Sequence, residues 1–225
     1  MKGFEQVTIQ DARPLPVIIL ADTSGSMQED GKIEALNVAL KEMLHSFGQQ
    51  SSLGAEIHVG VITFGEEVTC LYAPRPACQF EPHTMGKLTA AGKTPFGKAI
   101  RLVKELLEDK NTIPSRSYRP MVVAISDGYP TDAWELALEE FFKSERASKT
   151  IRVAMALGPD ADETMLKKFI NDPAIPVVRA KDARDIGKFF KCVTMSVSQR
   201  SVQANPNQVE CEEIKQLFDE QDLEF

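Results

Sequence analysis

The chain has 225 residues, 43% hydrophobic and 26% charged, with 26 Lys and Arg against 33 Asp and Glu, so its formal net charge is -7. This is the composition of a soluble globular protein, and it argues against the broad basic face that nucleic acid or an acidic membrane surface would require. The acidic surplus sits at one end: residues 201–225 hold seven acids and one base, which leaves residues 1–200 close to neutral.

Taken along the chain, MKGFEQVTIQ lacks the apolar core of a targeting segment. After a lead containing Pro14 and Pro16, the run Val17–Ala21 is too short to span a bilayer and reads as a strand buried on both faces, ending at Asp22. Ile33, Leu36, Leu40, Leu44 and Phe47 recur at helical spacing and predict a helix over about Lys32–Phe47. Strands follow at Glu56–Gly65 and Glu67–Ala73, close enough in sequence to form an antiparallel hairpin. An irregular stretch, Pro74–Lys93, leads to Thr94-Pro95, where a helix starts that buries Phe96, Ile100, Val103 and Leu107.

Met121–Ser126 is a second fully apolar strand, ending in Asp127-Gly128. Asp132 with Glu135 three residues on reads as a capping box for a helix carrying Trp134, Leu138, Phe141 and Phe142. Next come a strand at Ile151–Gly158, a helix at Glu163–Ile170, a short strand at Val177-Val178, and a last helix marked by Ile186, Phe189, Phe190, Val193 and Val197. This alternation predicts an α/β fold: a doubly wound, mostly parallel six-stranded sheet with one antiparallel edge strand and helices on both faces, formed by residues 1–200. Beyond Asn205-Pro206-Asn207, residues 201–225 form an acidic tail. There Cys211, Ile214, Leu217 and Phe218 make one apolar stripe, either on a short docking helix or in a frayed segment.

Cys70, Cys78, Cys192 and Cys211 fit no CxxC pair and no dense disulfide framework, so reduced thiols in the cytoplasm are the expectation. A zinc site of Cys70, Cys78 and His83 lacks a fourth ligand. In an open α/β sheet, ligands bind beyond the carboxyl ends of the strands. Asp22-Thr23-Ser24-Gly25-Ser26, Thr94 and Asp127 all fall at such strand ends or helix starts. In D-x-S-x-S, alternate residues of an extended loop point the same way, so Asp22, Ser24 and Ser26 converge. With Thr94 and Asp127 they offer hard oxygen ligands and two carboxylates, the donor set that Mg²⁺ (or Mn²⁺) takes.

Those five residues, in this chain order, resemble the von Willebrand factor A domains and their metal-ion-dependent adhesion site. The resemblance covers residues 1–200 and implies Asp22, Ser24, Ser26, Thr94 and Asp127 as ligands of Mg²⁺. It further implies a partner protein that supplies a Glu or Asp to complete the metal's shell. Asp127-Gly128-Tyr129-Pro130-Thr131-Asp132 followed by Trp134 is more specifically similar to the bacterial TerY-like tellurium-resistance group. That likeness implies a stress-response system with a protein phosphatase and a protein kinase as partners.

Rival chemistries fit less well. Gly86 to Thr94 imitates a phosphate-binding loop but has five residues between its glycines instead of four. A phosphatase or other Mg²⁺ hydrolase using Asp22 as nucleophile needs an acid two residues on, where Ser24 stands. His45, His58 and His83 are scattered, and Tyr129 and Trp134 beside the metal loop read as interface contact and as core or anchor respectively. The expected function is a cytoplasmic, non-enzymatic protein-binding module.

Overall fold

A computed structural model describes residues 12–50, 55–81, 86–208, 211–219 and 223. MKGFEQVTIQ, His83 and the tail residues Glu210, Glu220, Asp222 and Glu224 therefore lie outside the described residues. In chain order the elements are β1 (Arg13–Asp22), a 3-10 segment (Gly25–Gly31), α1 (Lys32–Gly48), β2 (Ala55–Phe64), β3 (Val68–Pro76) and α2 (Phe96–Glu108). They continue with β4 (Met121–Ser126), α3 (Trp134–Lys143), β5 (Ile151–Leu157), α4 (Glu163–Ile170), β6 (Val178–Ala180), α5 (Ala183–Val202) and α6 (Cys211–Asp219).

The six strands lie in the order β3-β2-β1-β4-β5-β6. All neighbours are parallel except β2 and β3, so the antiparallel strand forms one edge as the sequence predicts. The β1-to-β2 crossover runs toward one edge and the later crossovers toward the other. Right-handed connections therefore set α1 on one face and α2, α3 and α4 on the opposite face, while α5 returns to pack against α1. Val17 to Ala21 and Val122 to Ile125 are wholly buried because helices cover both faces of the central strands. Each such aliphatic side chain contributes about 1.5–3 kcal/mol on burial. Phe96 of α2 meets Phe64 of β2 and Phe169 of α4 edge-on, at 5.7 and 5.8 Å, tying the helices of that face to the sheet.

The proline-bearing lead belongs to β1, four residues longer at its start than the apolar run. Pro14 and Pro16 pair with β2 alone, because pairing with β4 begins only at Val17. The carbonyl of Pro14 takes the amide of Tyr118 at 2.8 Å, so this parity of β1 faces away from β2. The missing N–H groups thus cost no ladder bond. The Asp132 capping box does not form. The Asp132 carboxylate accepts instead from the Gly97 and Lys98 amides, both at 2.8 Å, and caps the first turn of α2 across the chain.

Helix α6 is seated rather than frayed. Ile214, Leu217 and Phe218 are buried, the Phe218 ring stacks on Phe189 of α5 at 5.6 Å, and the Cys192 thiol donates to the Leu217 carbonyl at 3.0 Å. Phe218→Ala is expected to lower stability by about 3 kcal/mol in urea unfolding, as for other buried aromatic truncations. Unchanged stability would show that the helix contributes nothing to the fold.

Candidate metal centre

From β1 the chain moves first to β2 and β3 on one side, then returns to β4 on the other. The crevice beyond the carboxyl ends of β1 and β4 is therefore the point where strand order reverses, and three loops meet there. The first follows β1. Asp22 is fully buried; its Oδ1 accepts from the Ser24 amide at 2.8 Å and its Oδ2 from the Ser126 hydroxyl at 2.6 Å.

The second loop, ending at Thr94, is laced to the first by backbone bonds: the Ala91 amide donates to the Thr23 carbonyl at 2.8 Å and the Gly25 amide to the Gly92 carbonyl at 3.0 Å. Gly92 has φ +79°, and a Cβ there would lie 2.4 Å from Glu66 Cα, so only glycine permits this approach. The third loop follows β4 and is tied to the second by the Thr131 amide, which donates to the Thr94 carbonyl at 2.9 Å. The Asp132 cap on α2 holds the same two segments together from behind.

This lacing brings all five sequence-predicted residues to one place. Ser24 Oγ and Ser26 Oγ are 3.1 Å apart, and Ser26 Oγ donates to Asp127 Oδ1 at 2.7 Å. Thr94 is buried, and a Cβ built on Gly128 would sit 3.5 Å from Thr94 Oγ1 and 3.9 Å from Ser26 Oγ, so both hydroxyls face that turn. Burial pushes the Asp22 carboxyl up to about 6, against the hydrogen bonds from Ser126 and Ser24, and the nearby Asp127 charge adds to the rise. An oxygen-only donor set with two buried carboxylates, one of them short of positive charge, fits a hard divalent cation.

Two participants escape the sequence reading. Ser126, the last residue of β4, holds Asp22 in orientation. Lys32, the first residue of α1, places Nζ 2.9 Å from Asp127 Oδ2, with its side chain 14% exposed and that of Asp127 fully buried. The strand-end pattern gives a signal for Ser126. For Lys32 there is none, since the pairing spans 95 residues of sequence. Elsewhere, Lys93 is exposed and His45 and His58 sit on α1 and in β2, away from the three loops. His58 pairs with Glu56 at 2.7 Å. Cys70 and Cys78 carry free thiols. Tyr129 is 66% exposed beside the centre, while Trp134 is half-buried with the Lys168 ammonium 5.0 Å from its ring. No helix among the described residues is long and apolar enough to cross a membrane.

The family model of the von Willebrand factor type A domain matches residues 17–130. Among solved structures, the chain is similar to a von Willebrand factor type A protein from Catenulispora acidiphila: 18% identity, TM-score 0.65, 82% of this chain and 42% of that one. It is also similar to proximal thread matrix protein 1 from the mussel byssus with a zinc-occupied MIDAS motif, at 17% identity and TM-score 0.62, covering 81% of this chain and 48% of that one. A third is the manganese-loaded TRAP protein of Plasmodium vivax, at 14% identity and TM-score 0.56, covering 78% and 71%. The chain thus spans less than half the length of the Catenulispora and mussel chains. No curated protein matches it.

The raised Asp22 carboxyl has a thermodynamic consequence. Its folded-state value of about 6 exceeds the ordinary 3.8, so the metal-free native state binds the proton more tightly than the unfolded chain and loses stability as pH rises between those values. Asp22→Asn, neutral at every pH, is therefore expected to stabilise the metal-free protein at pH 8 by about 3 kcal/mol relative to its effect at pH 3.5. Chemical denaturation of both proteins in chelator at the two pH values checks this.

Proposed function

Because the chain belongs to the von Willebrand factor type A domain family, we propose that it is a non-enzymatic protein-binding module in which Asp22, Ser24, Ser26, Thr94 and Asp127 hold Mg²⁺ or Mn²⁺. The observation that carries this reading is the convergence of those oxygens from three laced loops on one buried, charge-deficient point. A bound divalent cation supplies an electrophilic coordination position that takes a carboxylate. The two aspartates balance the ion's two charges and the serine and threonine hydroxyls add no further negative charge, so the ion stays electrophilic and open to an acidic residue of a partner.

The residues also speak against the hydrolase reading. Both oxygens of Asp22 already accept hydrogen bonds, from the Ser24 amide and the Ser126 hydroxyl, and the side chain is fully buried, so it lacks the exposure a nucleophile needs. Ser24 stands where a proton donor would be required. Tyr129, exposed at the rim, gives an incoming partner an aromatic contact beside the metal.

The likeness of the Asp127–Trp134 loop to the TerY-like group supports a narrower setting: a bacterial tellurite and stress-response system, in the cytoplasm, with a protein kinase and a protein phosphatase as partners. A pull-down from the native host with and without chelator tests both levels. Capture that is lost in chelator and in Asp22→Ala or Ser26→Ala supports the carboxylate-bridging role; capture indifferent to all three contradicts it.

Lys32 makes a sharper expectation. Its ammonium holds Asp127 Oδ2, and Asp127 would also hold the cation, so the two positive charges would compete for one carboxylate. Lys32→Met is expected to bind Mn²⁺ roughly tenfold more tightly by calorimetry, a gain in line with removing one charge-assisted hydrogen bond. Its metal-free form is expected to be less stable, because Asp127 is left buried without its counter-charge.

A further inference from the structure

At the opposite pole of the sheet, around the amino ends of β4 and β5, lies a second cavity of about 440 Å³. Its walls include Ser117, Arg119, Arg146 and Lys149, with Leu107 and Tyr118 as apolar surface, and among the described residues no carboxylate lines it. Two of the guanidinium groups are locked in place by backbone carbonyls. Arg119 Nε donates to the Lys149 carbonyl at 2.6 Å, and Arg146 Nη2 donates to the Ile113 carbonyl at 2.6 Å. Backbone carbonyls thus fix the position of both guanidinium groups.

Positive charge is crowded here. Arg152 and Arg200 are pushed down to about 10, by burial first and then by the charge of Arg119. Glu108 answers part of it, its Oε1 accepting from the Arg146 and Ala147 amides at 2.8 and 3.0 Å, and Asp172 acts on Arg152. Unpaired donors gather at the same place. Among the described residues four buried side-chain polar atoms lack a hydrogen-bond partner; two of them, Ser117 Oγ and Arg146 Nη1, belong to residues that line the cavity. A third, Arg200 Nη1, belongs to the guanidinium whose Nη2 donates to the Arg119 carbonyl at 2.7 Å. Native structures leave few such atoms, and two on residues that line one cavity, with a third on the adjoining Arg200, mark a place short of an acceptor.

We propose that this cavity is an anion site for a phosphate monoester of small-molecule size, its phosphate met by Arg119, Arg146, Lys149 and the Ser117 hydroxyl and its organic body by Leu107 and Tyr118. The N–H donors that the two fixed guanidinium groups do not spend on backbone carbonyls remain for the oxygens of a dianion, and the volume lies in the range of small-ligand pockets. The site stands apart from the metal centre, since Pro120 and Asp127 flank β4 at its two ends. Free phosphate shares the head-group chemistry, and the apolar walls favour an ester.

The test is calorimetric titration of the full chain in chelator, so that coordination at the metal centre cannot contribute, with phenyl phosphate, inorganic phosphate and phenol as probes. Phenyl phosphate is expected to bind saturably and roughly tenfold more tightly than inorganic phosphate, with phenol silent. Lys149→Glu, at an exposed side chain, is expected to leave the unfolding temperature unchanged and to weaken phenyl phosphate roughly tenfold or more. Ser117→Ala should weaken it less. Absence of saturable binding by either phosphate, or equal affinity in Lys149→Glu, would overturn the site. Inorganic phosphate binding as tightly as the ester would overturn the ester assignment.

Discussion

Two carboxylates buried side by side at the end of a parallel sheet are the constraint on which the rest of this molecule turns. Asp22 and Asp127 stand at the carboxyl ends of β1 and β4, where water is excluded and like charges oppose each other. Every nearby group answers that strain. Ser126 and Ser24 donate to Asp22, Ser26 and Lys32 donate to Asp127, and still the Asp22 carboxyl sits well above its ordinary range. A fold optimised for stability alone would place neutral or apolar residues here. Keeping the carboxylates trades stability for a point of negative potential that a cation relieves, as functional sites commonly do.

The Lys32 ammonium gives the centre a second source of positive charge beside a divalent cation. Lys32 supplies one positive charge from the start of α1, tethered to the domain, and a divalent cation from solution brings two. The metal affinity proposed for the centre is then a difference between these alternatives, not a property of the five candidate ligands alone. The same logic separates the two poles of the sheet: carboxylates gather at the carboxyl ends of the strands, guanidinium groups at the amino ends. A chain that is nearly neutral over residues 1–200 is therefore strongly polar in its charge distribution, which net charge conceals.

Much of this was legible in the sequence, for reasons that are local. The runs Val17–Ala21 and Met121–Ser126 announce strands covered on both faces, and the stripes of α1, α2 and α5 announce helices packed on one. The five candidate oxygen ligands could be read because each sits at a boundary between a strand and a loop or at a helix start. Non-local pairings were illegible. Asp132 with Glu135 looks like a capping box, yet its carboxylate serves α2, whose amides lie 34 and 35 residues away. Pro14 and Pro16 argue against a strand until pairing shows that β4 begins only beyond them. Lys32 reads as an ordinary surface lysine at a helix start. Ile214, Leu217 and Phe218 form a stripe whose docking could not be read, because its receiving surface on α5 becomes a surface only in the fold.

The central claim is that three laced loops hold one divalent cation that remains open to an external carboxylate. Electron paramagnetic resonance of Mn²⁺ titrated into the chain addresses it directly, because only the free aqua ion gives the sharp signal. The expected result is suppression of that signal up to a single equivalent, lost in Thr94→Val, with a spectral change of the bound ion on adding a glutamate-bearing peptide. A free-ion signal that grows linearly from the first addition, in wild type and variant alike, would contradict it.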